Sequence, residues 1–467
     1  MEETVTEKTV VKENKMGTMD VKKLLFSMSV PIIISMLVQA LYNIVDSIFV
    51  ASFDNVAGTA ALTIAFPMQN LMIAVAVGLA VGMNALLSRA LGQKNFAKAD
   101  KIAGQGMFLT LCGYIVFLLI GFFAVETYVA SQSAGNQLIE EYGSEYLSVI
   151  CIGSVGVFVQ IVCERLLQAT GKTMYSMVTQ AAGAVINIIL DPIMIFGLLG
   201  CPRLGVTGAA LATVIGQWAA ALLGIILNLK FNREIKLKLK NILPDLPIIC
   251  EILVIGIPSV LMQAIGSLMT FCMNKVLMSF QNCGVDAMNV FGVYFKLQSF
   301  IFMPVFGLTN GMIPIIAYNY GAKNRHRVMH TIKLSAISAV IYMLLGLLVF
   351  QAIPGILLGF FDATPGMLEI GNTAFRIISL SFIFAGLAVV ASSVCQALGI
   401  SIYSLFTSMG RQLVVLIPAA FLLSLTGNVT AVWWAFPISE FVGVALSVLF
   451  MIRVLKNTVG LRDKQTL

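Results

Sequence analysis

The chain has 467 residues, of which 59% are hydrophobic and only 11% charged, with a mean hydropathy of +0.94. A soluble domain needs about 25% charged residues to solvate its surface, which excludes a water-soluble globular protein. The net charge of +7 would suit a nucleic-acid partner, but its placement along the chain is a topology signal and needs no such partner.

Residues 1–24 are polar and charged, with no short apolar core and cleavage site, and are expected to form a loosely ordered cytoplasmic tail. Apolar runs follow at about 25–52, 60–90, 102–127, 146–169, 174–197, 206–229, 248–280, 287–319, 332–354, 370–396, 403–425 and 429–452. A helix of about 20 apolar residues crosses a bilayer core. Backbone groups in lipid must be satisfied internally, by helices or closed barrels, and these runs are too long for barrel strands. The expected fold is an all-α integral membrane protein of twelve transmembrane helices. With the N-terminus inside, cytoplasmic segments carry 23 of the 29 Lys and Arg, whereas the outer loops carry Arg203 and an acidic group of Glu140, Glu141 and Glu145. That contrast obeys the positive-inside rule. The eight cysteines lie mostly inside the runs, without metal-ligand spacing, and are expected to pack as small hydrophobes.

The segment GLAVGMNALLSRALGQKN (78–95) aligns without gaps to GLTNGMIPIIAYNYGAKN (307–324), matching three glycines and the Lys-Asn pair. Phe66 and Gln69 fall on Phe295 and Gln298, Pro31 falls on Pro258, and all offsets lie between 227 and 229. Composition alone does not match polar residues at one offset, so the chain is an internal duplication. Six helices per half give parallel repeats with a substrate path at their interface. The expected organisation is a tail (1–24), a lobe (25–229), a basic linker (230–247), a second lobe (248–455) and a second tail (456–467).

Ionisable groups within spanning helices are costly and usually functional. Asp46 stands about 32 Å along the first helix, and Asp191 and Thr213 reach a similar depth in the fifth and sixth. Asn187 and Asp191 share a helix face, as do Gln39, Tyr42 and Asp46. Two carboxylates in a low-dielectric pocket take a proton or bind a cation. Oxygen ligands from Asp46, Asn187, Asp191 and Thr213 suit a hard ion such as Na⁺; the alternative is a structural hydrogen-bonded pair. Pro31 and Pro192 are candidate kinks.

The second half lacks this pattern. The position matching Asp46 falls near Asn274, and the half instead offers Lys296, Arg411 and Glu440. Lys296, about nine residues from its outer helix end, is too deep to snorkel. It either lines a substrate cavity with Gln69 and Gln298 or belongs to a structural set, in which Lys296 or Arg411 pairs with Glu440. Glu164 and Arg165 are expected to pair locally. A cavity lined by Met and Phe would suit varied lipophilic cations.

The stretches SVPIIISMLVQALYNIVDSIFVA, GMNALLSRALGQKN, NIILDPIMIFG, GVTGAALAT, GVYFKLQSFIFMPVFGLTNG and AVWWAFPISEFVG resemble the multidrug and toxic compound extrusion (MATE) family, in particular its bacterial DinF-like branch. The resemblance covers essentially residues 20–455. It implies two six-helix lobes around a V-shaped cavity and antiport of H⁺ or Na⁺ against organic cations. The N-lobe site of such proteins matches Asp46, Tyr42, Gln39, Asn187, Asp191 and Thr213 here, with Ala209 one turn before the threonine. The proline whose bending couples protonation to transport matches Pro31. The stretch LLGCPRLG between the fifth and sixth helices is longer than the family's, and the C-lobe carboxylates of another branch have no counterpart.

The resulting expectation is a monomeric, multi-pass protein of the bacterial plasma membrane with both termini cytoplasmic. Its partners would be lipophilic or cationic compounds and membrane lipids, with no nucleic acid and no cofactor beyond the coupling H⁺ or Na⁺. A flippase of lipid-linked or lipid-like substrates is the alternative, kept open by Lys296 and Arg411. An enzyme is not expected: the histidines, His326 and His330, share a basic loop without an acidic partner.

Overall fold

A computed structural model describes residues 14–458 apart from positions 55, 56, 134, 282 and 362. The described residues contain helices and no strands. The spans are α1 (Val21–Phe53), α2 (Ala57–Gly92), α3 (Phe96–Phe123), α4 (Gln137–Gly153 with Val155–Ala169), α5 (Thr173–Phe196) and α6 (Gly205–Phe231). They continue with α7 (Leu246–Met278), α8 (Gly284–Gly321), α9 (Arg325–Ala352), α10 (Pro365–Ser379 with Phe382–Ala397), α11 (Ser401–Ser424) and α12 (Val429–Thr458). Ten are single helices long and apolar enough to cross a bilayer, and the bent pairs α4 and α10 bring the spans to twelve. The chain is an all-α integral membrane protein.

The repeat explains which local devices occur twice. α4 bends by 45° and α10 by 47°. Ser154 and Ser381 sit at these breaks, and each hydroxyl donates to a carbonyl three residues back, at 2.7 Å and 2.6 Å. A hydroxyl that takes over a backbone acceptor lets a helix bend there. The duplicated Lys-Asn pair is a turn. Lys94 and Lys323 adopt left-handed φ values of 59° and 56°, and Asn95 and Asn324 then cap α3 and α9 through their side-chain oxygens.

The matched glycines are the seam between the two halves. α2 packs on α7, and α8 packs on α1. A Cβ on Gly82 of α2 would meet the Ile252 carbonyl of α7 at 2.4 Å, and one on Gly311 of α8 would meet Ser29 Oγ of α1 at 2.6 Å. These two glycines are repeat equivalents. Small residues let backbones approach where lipid gives no hydrophobic drive for association. The seam lies toward the ends that carry the Lys94 and Lys323 loops.

The expected tails at 1–24 and 456–467 fall partly outside the described residues, which omit 1–13 and 459–467. Where residues 14–24 are described, they are not a loose tail. Asp20 caps α1 by accepting from the Lys22 and Lys23 N–H groups, so the helix starts at Val21 rather than near 25. Ahead of it, Lys15–Thr18 forms a helical turn with Met16 fully buried. Asn14 Nδ2 donates to Glu234 Oε2 at 2.5 Å and to the Thr170 carbonyl at 3.2 Å. From the other half, Asn319 and Arg327 donate to the Met16 carbonyl, and Arg327 also to that of Met19 at 2.7 Å. The segment straps both lobes together, because Met16 is apolar and the turn's free carbonyls need donors. The stretch between α6 and α7 is also held: Gln105 donates to the Asn241 and Leu243 carbonyls at 2.7 Å and 2.6 Å.

Candidate ion-coupling cluster and central cavity

α5 lies between α1 and α6 and packs along both, which brings together the residues expected to couple ions. Asn187 and Asp191 stand one turn apart on the buried face of α5, with Asp191 fully buried. Thr213 and Ala209, one turn apart on α6, are buried beside them. The Asn187 amide nitrogen donates to Asp191 Oδ1 and to Thr213 Oγ1, both at 3.2 Å. Asp46 of α1 is 9% exposed and lies within electrostatic reach of Asp191 and of Tyr42. Gln39 accepts from Gln180 Nε2 of α5 at 2.7 Å, two turns from Asp46, and so ties the two helices rather than joining the carboxylates.

Three oxygens in this cluster are buried without a donor: Asp46 Oδ1, Asn187 Oδ1 and Asp191 Oδ2. A buried acceptor left unpaired costs about 1–3 kcal/mol, and more if charged. The cluster therefore has room, in chemical terms, for a proton or a small cation. With two carboxylates and neutral oxygens it differs from sites built on three or more His, Cys, Asp or Glu, of which the described residues hold none.

Pro31 lies inside α1, buried, between Ser29 and Ile33. Those two residues are the ones pressed against Gly311 and Gly307 of α8. The proline thus marks the lobe seam, and the Ser35 hydroxyl donates to its carbonyl at 2.9 Å.

A cavity of about 1210 Å³ opens between the halves, walled by α2, α7, α8, α10, α11 and α12. Lys296 and Gln298 line it, but none of Asp46, Asn187, Asp191 and Thr213 does. Gln69 is also absent from the wall. Its amide donates to the Tyr146 hydroxyl of α4 at 3.1 Å, while its neighbour Asn70 faces the cavity. Successive helical residues point about 100° apart, so the equivalence with Gln298 is one of sequence and not of surroundings. The same geometry separates Glu164 from Arg165. Glu164 accepts from Gln160 at 3.0 Å, and Arg165 reaches Gln168 at 3.0 Å and Asn310 of α8 at 2.9 Å. The two neighbours act on each other through charge, while Arg165 gives one of its hydrogen bonds across the seam.

Of the pairings open for Glu440, the structure contains the one with Arg411, at 2.5 Å. Lys296 instead points its ammonium over the Phe361 ring, 5.7 Å from the centroid. Composition gave no signal for the choice, since both bases lie in spanning helices.

This arrangement, twelve spans in two repeated halves with a cavity where α2 of the first meets five helices of the second, defines a multi-pass membrane protein of the transporter type. The MatE family model matches residues 31–193 and 258–422, one segment in each half, and the chain belongs to that family. It is 27% identical to the multidrug export protein MepA of Staphylococcus haemolyticus over 445 residues, covering 95% of this chain and 96% of that one. With MepA of Staphylococcus aureus the identity is 26%, over 93% and 94% of the two chains. A crystal structure of MATE in the straight conformation matches at a TM-score of 0.88 and 25% identity, covering 96% of this chain and 99% of that one. A MOP superfamily transporter from Pyrococcus furiosus, described as having a binding pocket of reverse polarity, shares the fold at a TM-score of 0.88 and 24% identity, over 95% and 98%.

Proposed function

We propose that the chain is a multidrug exporter that moves lipophilic, chiefly cationic compounds in exchange for H⁺ or Na⁺. The observation that carries this reading is the trio of donorless buried oxygens on Asp46, Asn187 and Asp191, set apart from the cavity. Ion and compound would then occupy different places in the same protein, coupled through the change of lobe state. Asp46, Asn187, Asp191 and Thr213 would hold Na⁺, or one of the two carboxylates would hold a proton. Tyr42 and Ala209 complete the wall of this site, and Pro31 would pass its state to the lobe seam. The relatives' name as multidrug export proteins supports the reading, as does the cavity wall. Phe66, Phe295, Phe302, Met262 and Met269 line it, and such side chains repack around varied apolar shapes.

Parallel repeats favour rocking of two lobes about a fixed site. The seam sits at the ends bearing the basic loops, so with those loops cytoplasmic the cavity of this state faces outward. The protein would act as a monomer in the bacterial plasma membrane, with both termini inside. A flippase reading is favoured by one feature: the cavity wall carries two basic groups, Lys296 and Arg411, against the single carboxylate of Glu440. Uptake in proteoliposomes, with Na⁺ and pH gradients imposed separately, tests the exporter. Transport indifferent to both gradients would remove it, and scrambling of labelled lipid without drug transport would put the flippase in its place.

A further inference from the structure

The C-terminal half holds a polar centre that the coupling cluster does not use. Within α11 the helical ladder widens into a π-type turn over Gly410–Leu416, a feature that recurs at functional sites. Arg411 lies in this turn, and its stem crosses Gly443 of α12, where a Cβ would stand 2.6 Å from Arg411 Cδ. Its guanidinium reaches Glu440 Oε1 at 2.5 Å. The second carboxylate oxygen, Oε2, is buried and has no donor.

Gln298 Oε1 on α8 is also buried without a donor. α8 and α12 are separated by an even number of crossings and therefore run in the same direction. One turn earlier on each helix, Tyr294 and Phe436 touch, with ring centroids 5.9 Å apart. Gln298 and Glu440 follow those two residues at i+4, on the same faces. They stand at one depth, and both line the central cavity.

We propose that Glu440 Oε2 and Gln298 Oε1 anchor the charged head of the exported compound and select protonated amines with N–H donors over quaternary ammonium ions. This inference rests on the export reading above. Both orphan atoms are acceptors, so their complement is a donor, and one belongs to a carboxylate already half-neutralised by Arg411. A protonated amine supplies the positive charge and an N–H for each oxygen. A quaternary nitrogen supplies charge only and leaves both oxygens unpaired. An anionic head meets the carboxylate. Lys296, the other charged group of this wall, is turned toward Phe361, beyond the outer end of α10's first half.

The test is binding to the purified full-length protein in lipid nanodiscs, with phenylbutylamine and phenylbutyltrimethylammonium as probes. The native chain should bind the amine about tenfold more tightly, the worth of one hydrogen bond to a charged group. Gln298→Leu, which keeps the ion pair, should erase most of that advantage by weakening amine binding more than trimethylammonium binding. The charge-neutral double variant Arg411→Gln/Glu440→Gln should do the same if the single Glu440 variant fails to fold. Equal affinity of the native chain for the two probes would overturn this inference alone, as would a preference that survives in both variants. Binding of neither probe would overturn it together with the export of cations.

Discussion

Asn187 holds Asp191 and Thr213 at once, its amide nitrogen 3.2 Å from an oxygen of each. The amide is thereby oriented, and its own oxygen is left buried without a donor beside Asp191 Oδ2, which is in the same condition. One neutral side chain thus leaves two acceptors open to the proposed coupling ion.

Asp46→Asn and Asp191→Asn should each abolish gradient-driven efflux, because each removes a charge that only a proton or cation balances. Asn187→Ala and Thr213→Ala should weaken ion affinity less, by about tenfold, since a neutral ligand contributes less than a charged one. Efflux from energised vesicles, normalised to protein abundance, checks both. Native efflux from either Asp variant would remove that residue from the coupling step.

The Arg411–Glu440 pair is only 21% and 15% exposed. Arg411→Gln and Glu440→Gln should each cost about 3 kcal/mol by leaving a buried charge alone, and the double variant should regain most of it. Lys296→Gln should leave thermal stability near native and change substrate preference, because Lys296 is over Phe361 and not beside Glu440. Melting curves of the four variants decide it, and loss of stability in Lys296→Gln comparable to that in Glu440→Gln would refute the assignment.

At the glycine seam, Gly82→Ala and Gly311→Ala place a methyl group against Ile252 O and Ser29 Oγ respectively. Overpacking of this kind costs about 1–3 kcal/mol, and it penalises only the state in which these ends touch. Each variant should shift the protein toward the opposite opening. Thiol labelling of a cysteine placed at Ser29 should accelerate in Gly82→Ala, and an unchanged labelling rate would argue that the lobes do not part there.

The strap at 14–20 yields another measurable effect. Arg327→Ala deletes donors to the Met16 and Met19 carbonyls and to Asn319 Oδ1. A loss of about 2 kcal/mol follows from unpairing these partly buried acceptors, together with faster proteolysis near Met19. Equal melting temperature and equal cleavage would show that the strap bears no load.

The sequence by itself determined the number and order of the spans, since apolar runs too long for barrel strands can satisfy their backbone in lipid only as helices; their ends and the bends in α4 and α10 came from the structure. The sequence also determined the duplication, and the faces of α1 and α5 that carry Asp46 and Asp191, because spacing of three or four along a helix puts residues on one side. The repeated glycines and the Lys-Asn pair were visible as matches, but their purpose was not. Only packing shows that the glycines are where α2 meets α7 and α8 meets α1. Tertiary structure also decided that Gln69 turns to Tyr146 while Gln298 turns to the cavity, and that Arg411 rather than Lys296 meets Glu440. It decided that residues 14–20 bind both lobes instead of trailing as a tail. The reason is geometric: helical rise converts residue number into depth, whereas the direction a side chain faces relative to another helix depends on how the two helices are rotated and kinked against each other.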